Sequence, residues 1–347
     1  MSVKYYDKIV SPFIQTKALC HAEKLEELQK NKVIIPVTCE IDITDGFCNN
    51  KCKHCFFETN EKCQPIIQDK RKVFELFDEL KKLGVKGVEF TGGGEPLTHP
   101  DAKEIIEYAC DCGFSVGLVT NGLLLDKIDE VIKKMTFVRI SLDAATSETY
   151  CYAHGVDVFE QVVNNIKKIV SKYGGDKIGI GYLILPYNVE DIVGAAELAK
   201  NIGVRFIQYR PASLNYEVDD LIWNKAKEQV KIAKKFKNDD FQVFDAGIKW
   251  SLVSEPRHYS KCSTSSIVCV IKANGDVPLC VLKRNEKENI IGNVFKDGGF
   301  KSVWFSKKHE EIINSINIKE CRKPCKHDSY NIMFESIKND YLHRNFI

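Results

Sequence analysis

Between residue 36 and about residue 236 the chain repeats one pattern: a short apolar or β-branched run, a polar loop, then an apolar stripe at helical spacing. Runs at 36–43, 85–91, 114–119, 136–142, 177–185 and 204–210 predict strands. Stripes near 70–83, 101–112, 123–134, 158–173, 189–202 and 217–236 predict helices. In the first stripe Val73, Leu76, Phe77, Leu80 and Leu83 share one helix face, and Gly84 stands where a left-handed cap belongs. Gly113, Gly174 and Gly203 end three later stripes in the same way. Strand–helix units with short connections imply a parallel sheet, so the fold class is α/β, either an open doubly wound sheet or a partial barrel. In both, chemistry gathers at the carboxyl ends of the strands.

After about residue 237 the rhythm changes. Runs at 266–271 and 277–282 around the turn Ala273-Asn274-Gly275-Asp276 predict a β-hairpin, followed by a helical stretch near 301–316 and a cysteine-bearing tail. The expected organisation is a helical lead-in over 1–35, a core over 36–236 and a smaller module over 237–347.

A chain of 347 residues with 44% hydrophobic and 28% charged positions has material for a sizeable core and excludes disorder and collagen. Fifty basic against 48 acidic residues leave a formal charge of +2, so no nucleic-acid partner is expected. No run of about 18 apolar residues occurs, so no membrane partner is expected. Lys4, Asp7, Lys17 and Glu23 interrupt the opening residues where a signal peptide would be apolar, which points to a cytoplasmic location.

The fourteen cysteines are clustered in a long chain without an export signal, which favours metal or cluster ligation over disulfides. Cys48, Cys52 and Cys55 follow the first predicted strand. Three thiolates in so short a loop can wrap one side of a cubane iron–sulfur cluster and leave one iron open; a structural zinc knuckle with His54 as fourth ligand is the alternative. The second strand runs into Gly92-Gly93-Gly94-Glu95-Pro96, where bare backbone lets a ligand approach closely.

With three, then two, residues between its cysteines and a Gly-Gly-Glu at the end of its second strand, the chain resembles the radical S-adenosylmethionine (SAM) enzymes over roughly 36–215. The resemblance implies a partial (β/α)6 barrel in which Cys48, Cys52 and Cys55 hold a 4Fe-4S cluster whose open iron is chelated by S-adenosylmethionine. It implies that Gly92, Gly93, Gly94 and Glu95 form the loop contacting the methionyl ammonium group, and that His54 packs near adenine instead of binding metal. Asn121, closing the third strand, and Ser141 and Asp143, closing the fourth, are candidates for the cofactor's ribose or carboxylate, or for the substrate; turn-forming roles are their alternative. Arg210 ends the sixth strand as a candidate catalytic residue, able to pin a carboxylate or assist proton removal, or to sit in a structural ion pair.

Cys262 and Cys280 bracket the predicted hairpin, and Cys321 and Cys325 form a later pair. Four thiolates suit zinc as well as a cluster. The spacing is similar to the Twitch domain, the short form of the SPASM extension, and within that group to the 2-deoxy-scyllo-inosamine dehydrogenases, which implies one auxiliary cluster and two clusters in all. Cys269 competes with Cys262 as first ligand. A full SPASM extension needs more than the five cysteines beyond residue 260. Fourfold ligation leaves no iron for substrate and favours electron transfer. The function expected is an oxidoreductase of a small polar molecule, sugar- or aminocyclitol-like, in which a 5′-deoxyadenosyl radical abstracts hydrogen, the auxiliary cluster accepts an electron and a flavodoxin- or ferredoxin-like protein is the reductant. The alternatives are a peptide-modifying maturase, disfavoured by a lead-in too short for a leader-binding domain, and a non-catalytic iron–sulfur redox sensor, which has no use for the glycine loop.

Overall fold

The computed structural model describes residues 15–30, 33–55, 65–212, 218–245, 250, 256–257 and 259–339. Cys63, part of the lead-in and the start of the helix expected from 217 lie outside these residues.

The six expected strands are Thr38–Ile41, Gly87–Phe90, Ser115–Thr120, Phe137–Ser141, Ile178–Ile184 and Phe206–Pro211, parallel neighbours in that order. Gln242–Phe244 extends the sheet beyond the sixth strand, and Val268–Ile271 extends it beyond the first, both parallel. The two added edges do not pair with each other. The sheet nevertheless curls, because Glu40 and Glu89 from the first two strands line the same cavity as Gln208 and Arg210 from the sixth. The chain is therefore an α/β partial barrel with a lumen.

Helices cover the outside as the stripes predict. Lys70–Leu83 buries Val73, Leu76, Phe77 and Leu80; Asp69 caps its start by accepting from Arg71 N, and Gly84 ends it at φ 92°. Phe77 is fully buried and meets Phe90 and Phe114 edge-on, a burial worth roughly 1.5–3 kcal/mol for such a side chain. Ala102–Asp111, Phe159–Tyr173, Ile192–Ile202 and Asp220–Ala233 follow the remaining stripes. The stripe at 123–134 forms two 3-10 turns, Leu125–Ile128 and Val131–Lys133, instead of a helix. Its apolar positions Leu125, Ile128 and Val131 recur every third residue and are all buried, a period that suits the tighter turn. Ser147–His154 is a helix the periodicity missed, capped by Thr146 accepting from Thr149 N.

The segment beyond 237 is built into the core. Gly275 donates to Lys272 O and Lys272 N to Asp276 O, so the expected tight turn is present. The flanking strands diverge, however: Val268–Ile271 joins the main sheet, pairing Cys39 with Cys269, while Asp276–Pro278 pairs antiparallel with Ile290–Asn293. Val268–Ile271 is apolar on both faces, as a doubly covered parallel strand must be. The stretch at 301–316 divides at Ser306 into Phe300–Trp304 and Lys307–Ser315, because the Ser306 hydroxyl accepts from His309 N and starts a new helix. A last helix, Asp328–Lys338, packs near the lead-in helix Ala22–Gln29. No helix among the described residues is long and apolar enough to cross a membrane.

Glu79, on the first core helix, accepts from Phe300 N and Lys301 N at 2.8 and 2.9 Å and so caps a helix of the C-terminal segment. Glu79→Ala is expected to cost about 1–2 kcal/mol, read as a lower thermal midpoint and faster proteolysis after 299. An unchanged midpoint would show that this contact does not fasten the C-terminal segment.

Candidate functional site

The first constellation forms where two loops meet above the first and second strands. Gly46 N donates to Gly93 O at 2.7 Å and Glu95 N donates to Phe47 O at 2.8 Å, so the cysteine loop lies on the glycine loop by backbone hydrogen bonds. A Cβ on Gly93 would sit 2.4 Å from Thr44 O, and one on Gly94 would sit 2.0 Å from Phe47 O. Glycine is required at both positions by this approach alone. Gly92 takes φ 40° at the turn.

Glu95 is buried. Its carboxylate accepts from Thr120 Oγ1 and Asn121 N at 2.7 Å and from Leu97 N at 3.1 Å, which binds the loop to the end of the third strand. Burial pushes this carboxyl above its ordinary range against those three donors. A carboxylate offers about four acceptor directions, so one remains for an ammonium group. Asn121 donates from its amide to Asn49 Oδ1, beside Cys48.

Cys48, Cys52 and Cys55 carry free thiols, Cys48 exposed and the other two half-buried. Burial raises Cys52 well above the usual thiol range, and the nearby charges of Cys55, Asp143 and Cys48 raise it further. A thiol that resists ionising in the absence of a cation, as that of Cys52 does, fits a site whose thiolates bind metal. His54 is not free to be a fourth ligand: Nδ1 lies 2.8 Å from Tyr187 Oη and Nε2 lies 3.4 Å from Asp143 Oδ2. That geometry disfavours the zinc knuckle built on His54.

Asp143 takes φ 55°, a left-handed conformation costly for a side chain, and accepts from Leu183 N at 2.6 Å. Burial opposes its ionisation, but hydrogen bonding and charge from His54 and His154 outweigh this and hold it below the usual carboxylate range. His154, which the sequence did not signal, lies with Nδ1 3.1 Å from Cys52 Sγ and Nε2 3.0 Å from Leu142 O. A lone histidine near a helix end has no spacing to betray it. Ser141 is half-buried beside Gly181 at the end of the fourth strand. Arg210 stands apart from this cluster of contacts: it lines the lumen, where burial and the adjacent Arg139 lower it to about 9.

The second constellation is a small cavity lined by all four expected thiols, Cys262, Cys280, Cys321 and Cys325. Cys269 is fully buried in the sheet opposite Cys39 and does not line it. Burial and the neighbouring Cys262 raise Cys280 to about 12. Backbone and amide donors point at the sulfurs: His327 N to Cys325 at 3.4 Å and Asn331 Nδ2 to Cys262 at 3.6 Å. Such donors tune a cluster's potential. The tail loop is fixed by Arg257, which donates to Ile318 O, Cys321 O and Arg322 O, and by buried Asp328, which accepts from Arg257 Nε, Tyr259 Oη and Cys325 N. None of these positioning residues is legible from cysteine spacing.

Residues 43–199 match the radical SAM superfamily, and residues 262–327 match the SPASM iron–sulfur cluster-binding domain. The chain therefore carries both domains, with the 4Fe-4S cluster and S-adenosylmethionine that the first implies and the auxiliary cluster that the second implies. It is 27% identical over 290 residues to the mycofactocin maturase MftC of Mycolicibacterium smegmatis, covering 80% of this chain and 72% of that protein. It is 27% identical over 288 residues to the antilisterial bacteriocin subtilosin biosynthesis protein AlbA of Bacillus subtilis, covering 80% of this chain and 61% of that one. Streptococcus suis SuiB, solved with its precursor peptide SuiA, shares the fold at a TM-score of 0.68 and 18% identity over 87% of this chain and 72% of that one.

These findings overturn two expectations. The finer resemblance to 2-deoxy-scyllo-inosamine dehydrogenase does not hold, because the leading relatives are maturases. The oxidation of a small sugar- or aminocyclitol-like molecule falls with it. The first had rested on the number and spacing of cluster ligands, which fix a metal centre and carry no information about what enters the barrel; the second had rested on the length of the lead-in as well.

Two substitutions separate the centres. Gly94→Ala forces the cysteine loop off the glycine loop and is expected to remove about four irons while sparing the auxiliary site; Asp328→Ala is expected to remove the other set. Anaerobic iron and sulfide counts with electron paramagnetic resonance read both. Full iron loading of Gly94→Ala would show that the close approach is not needed for cluster binding.

Proposed function

We propose that this chain, which joins a radical SAM domain to a SPASM domain, is a maturase that modifies a peptide. The observation carrying the reading is the match to maturases along 80% of the chain. Solution of SuiB, which shares the fold, with a precursor peptide is consistent with the lumen admitting a chain segment.

In this reading Cys48, Cys52 and Cys55 hold the first cluster and Cys262, Cys280, Cys321 and Cys325 hold the auxiliary one. When bound, the first cluster and S-adenosylmethionine together supply the reducing electron and the 5′-deoxyadenosyl radical that takes hydrogen from the substrate. The protein's share is placement. Glu95, with one acceptor direction left, and the carbonyls of Gly92 and Gly93 receive the methionyl ammonium group. Asn121, Ser141 and Asp143 stand at adjoining strand ends for the remainder of the cofactor, and His54, oriented by Tyr187 and Asp143, packs against its base. Arg210 faces the substrate from the lumen wall. Four thiolates around the auxiliary site leave no vacant iron, so that centre passes electrons and does not bind the peptide.

The test is anaerobic incubation of the reconstituted protein with dithionite, S-adenosylmethionine and short peptides encoded beside its gene, followed by mass spectrometry. The expected result is 5′-deoxyadenosine release coupled to a mass change in one peptide. Cys48→Ala should abolish both, whereas Cys321→Ala should leave cofactor cleavage and lose the peptide product. Turnover of a free sugar with no peptide altered would overturn the proposal, and the absence of 5′-deoxyadenosine under all conditions would favour a sensor.

A further inference from the structure

The lumen holds a half-enclosed cavity of about 410 Å³ that the cofactor residues do not share. None of Cys48, Cys52, Cys55, Gly93, Gly94 or Glu95 lines it. Its charged lining is unbalanced: Lys17, Lys24, Lys326, Arg139 and Arg210 face two carboxylates, Glu40 and Glu89, with His21, His327 and Tyr330 beside them. Glu40 is engaged by Lys326, and the single charge of Glu89 is shared among Lys17, Lys326 and Arg210. Lys24 is turned to Ile35 O at 2.9 Å. The two guanidiniums are thus left as the excess. Arg139 Nη1 donates to Gln208 Oε1 at 3.2 Å, but its Nε and the Nε of Arg210 are buried without an acceptor among the described residues.

The two neighbouring guanidiniums repel each other, and although the charges of Glu89 and Asp143 act on Arg210 and that of Glu40 on Arg139, no carboxylate accepts from either Nε, so donors are left for a ligand to satisfy. Planar donor forks match a carboxylate or a phosphate. An unmodified peptide has no phosphate, so a peptide substrate can supply only a carboxylate, from its C-terminus or from Asp or Glu.

We propose that Arg139 and Arg210 form a carboxylate subsite in the lumen that anchors the substrate peptide by one of its carboxylates. The proposal rests on the maturase reading and adds which part of the peptide is held. Arg139 binds from the fourth strand and Arg210 from the sixth, Gln208 orients Arg139, and Lys326 pairs with Glu40 in the same cavity. A peptide so anchored presents to the cofactor a residue at a fixed distance from its carboxylate, which selects the site of modification.

The test titrates full-length, cluster-loaded, S-adenosylmethionine-bound protein by calorimetry with three probes: N-acetyl-alanyl-alanine, its C-terminal amide, and N-acetyl-aspartyl amide. At least one acid should bind about tenfold more tightly than the neutral amide, and the tighter acid names the terminus or the side chain as the anchor. R210Q and R139Q should each erase the preference and R210K should keep part of it, with iron content and cofactor affinity unchanged. Equal binding of acids and amide overturns the proposal, as does a preference surviving in the R139Q/R210Q double variant. Lost cofactor affinity with the probe preference intact assigns the guanidiniums to the cofactor and also overturns it. An acid preference erased in R210Q, with no peptide ever converted, would keep the subsite and sink the maturase reading; conversion of a peptide without any acid preference would do the reverse.

Discussion

The contact on which the structure depends is the backbone clasp between Gly46–Phe47 and Gly93–Glu95. Two hydrogen bonds cross it, and at two positions no side chain fits. Because the cysteine loop is stacked on the glycine loop, any group held by the three thiols lies next to the loop carbonyls and next to Glu95. Glu95 carries the constraint onward to Thr120 and Asn121, and Asn121 returns it to Asn49 in the cysteine loop. The ring of contacts closes on itself, so the ends of the first three strands are positioned together.

The C-terminal segment meets this ring from the other side. Arg284, a few residues past Cys280, places Nη2 2.7 Å from Asp42 Oδ2 at the end of the first strand, and both groups are buried. Burial keeps the Asp42 carboxyl high, at about 7, despite that cation. Such a pair contributes little net stability, but removing either partner leaves a buried charge. Lys326, directly after Cys325, reaches Glu40 in the lumen. The four-thiol cavity is thereby connected to the lumen through one side chain and to the first constellation through another.

Much of this was legible in the sequence because it depends on period and spacing. The six strands, the glycine caps and the helix Lys70–Leu83 follow from apolar repeats, and the gathering of Cys280, Cys321 and Cys325 with a fourth cysteine follows from the family resemblance, while the choice of Cys262 over Cys269 comes from the structure. What escaped depends on tertiary contact. Val268–Ile271 reads equally well as half of a hairpin or as a buried strand, and only the vacant edge beside Thr38–Ile41 decides. His154, Arg257 and Asp328 act through partners that the chain brings together over large separations, so no local pattern marks them. The peptide reading was set lower on the length of the lead-in, which bears on leader binding and not on the shape and charge of the lumen by which a substrate is recognised.

The pairing of Thr38–Ile41 with Val268–Ile271 also bears on biogenesis. The earliest core strand keeps one flank of amide and carbonyl groups bare until a segment from the far end of the polypeptide has left the ribosome, and long-range parallel registry of this kind is slow to establish. Completion of the sheet is therefore a late event in the life of the newborn chain. Until then its bare strand edge is a template for misassociation.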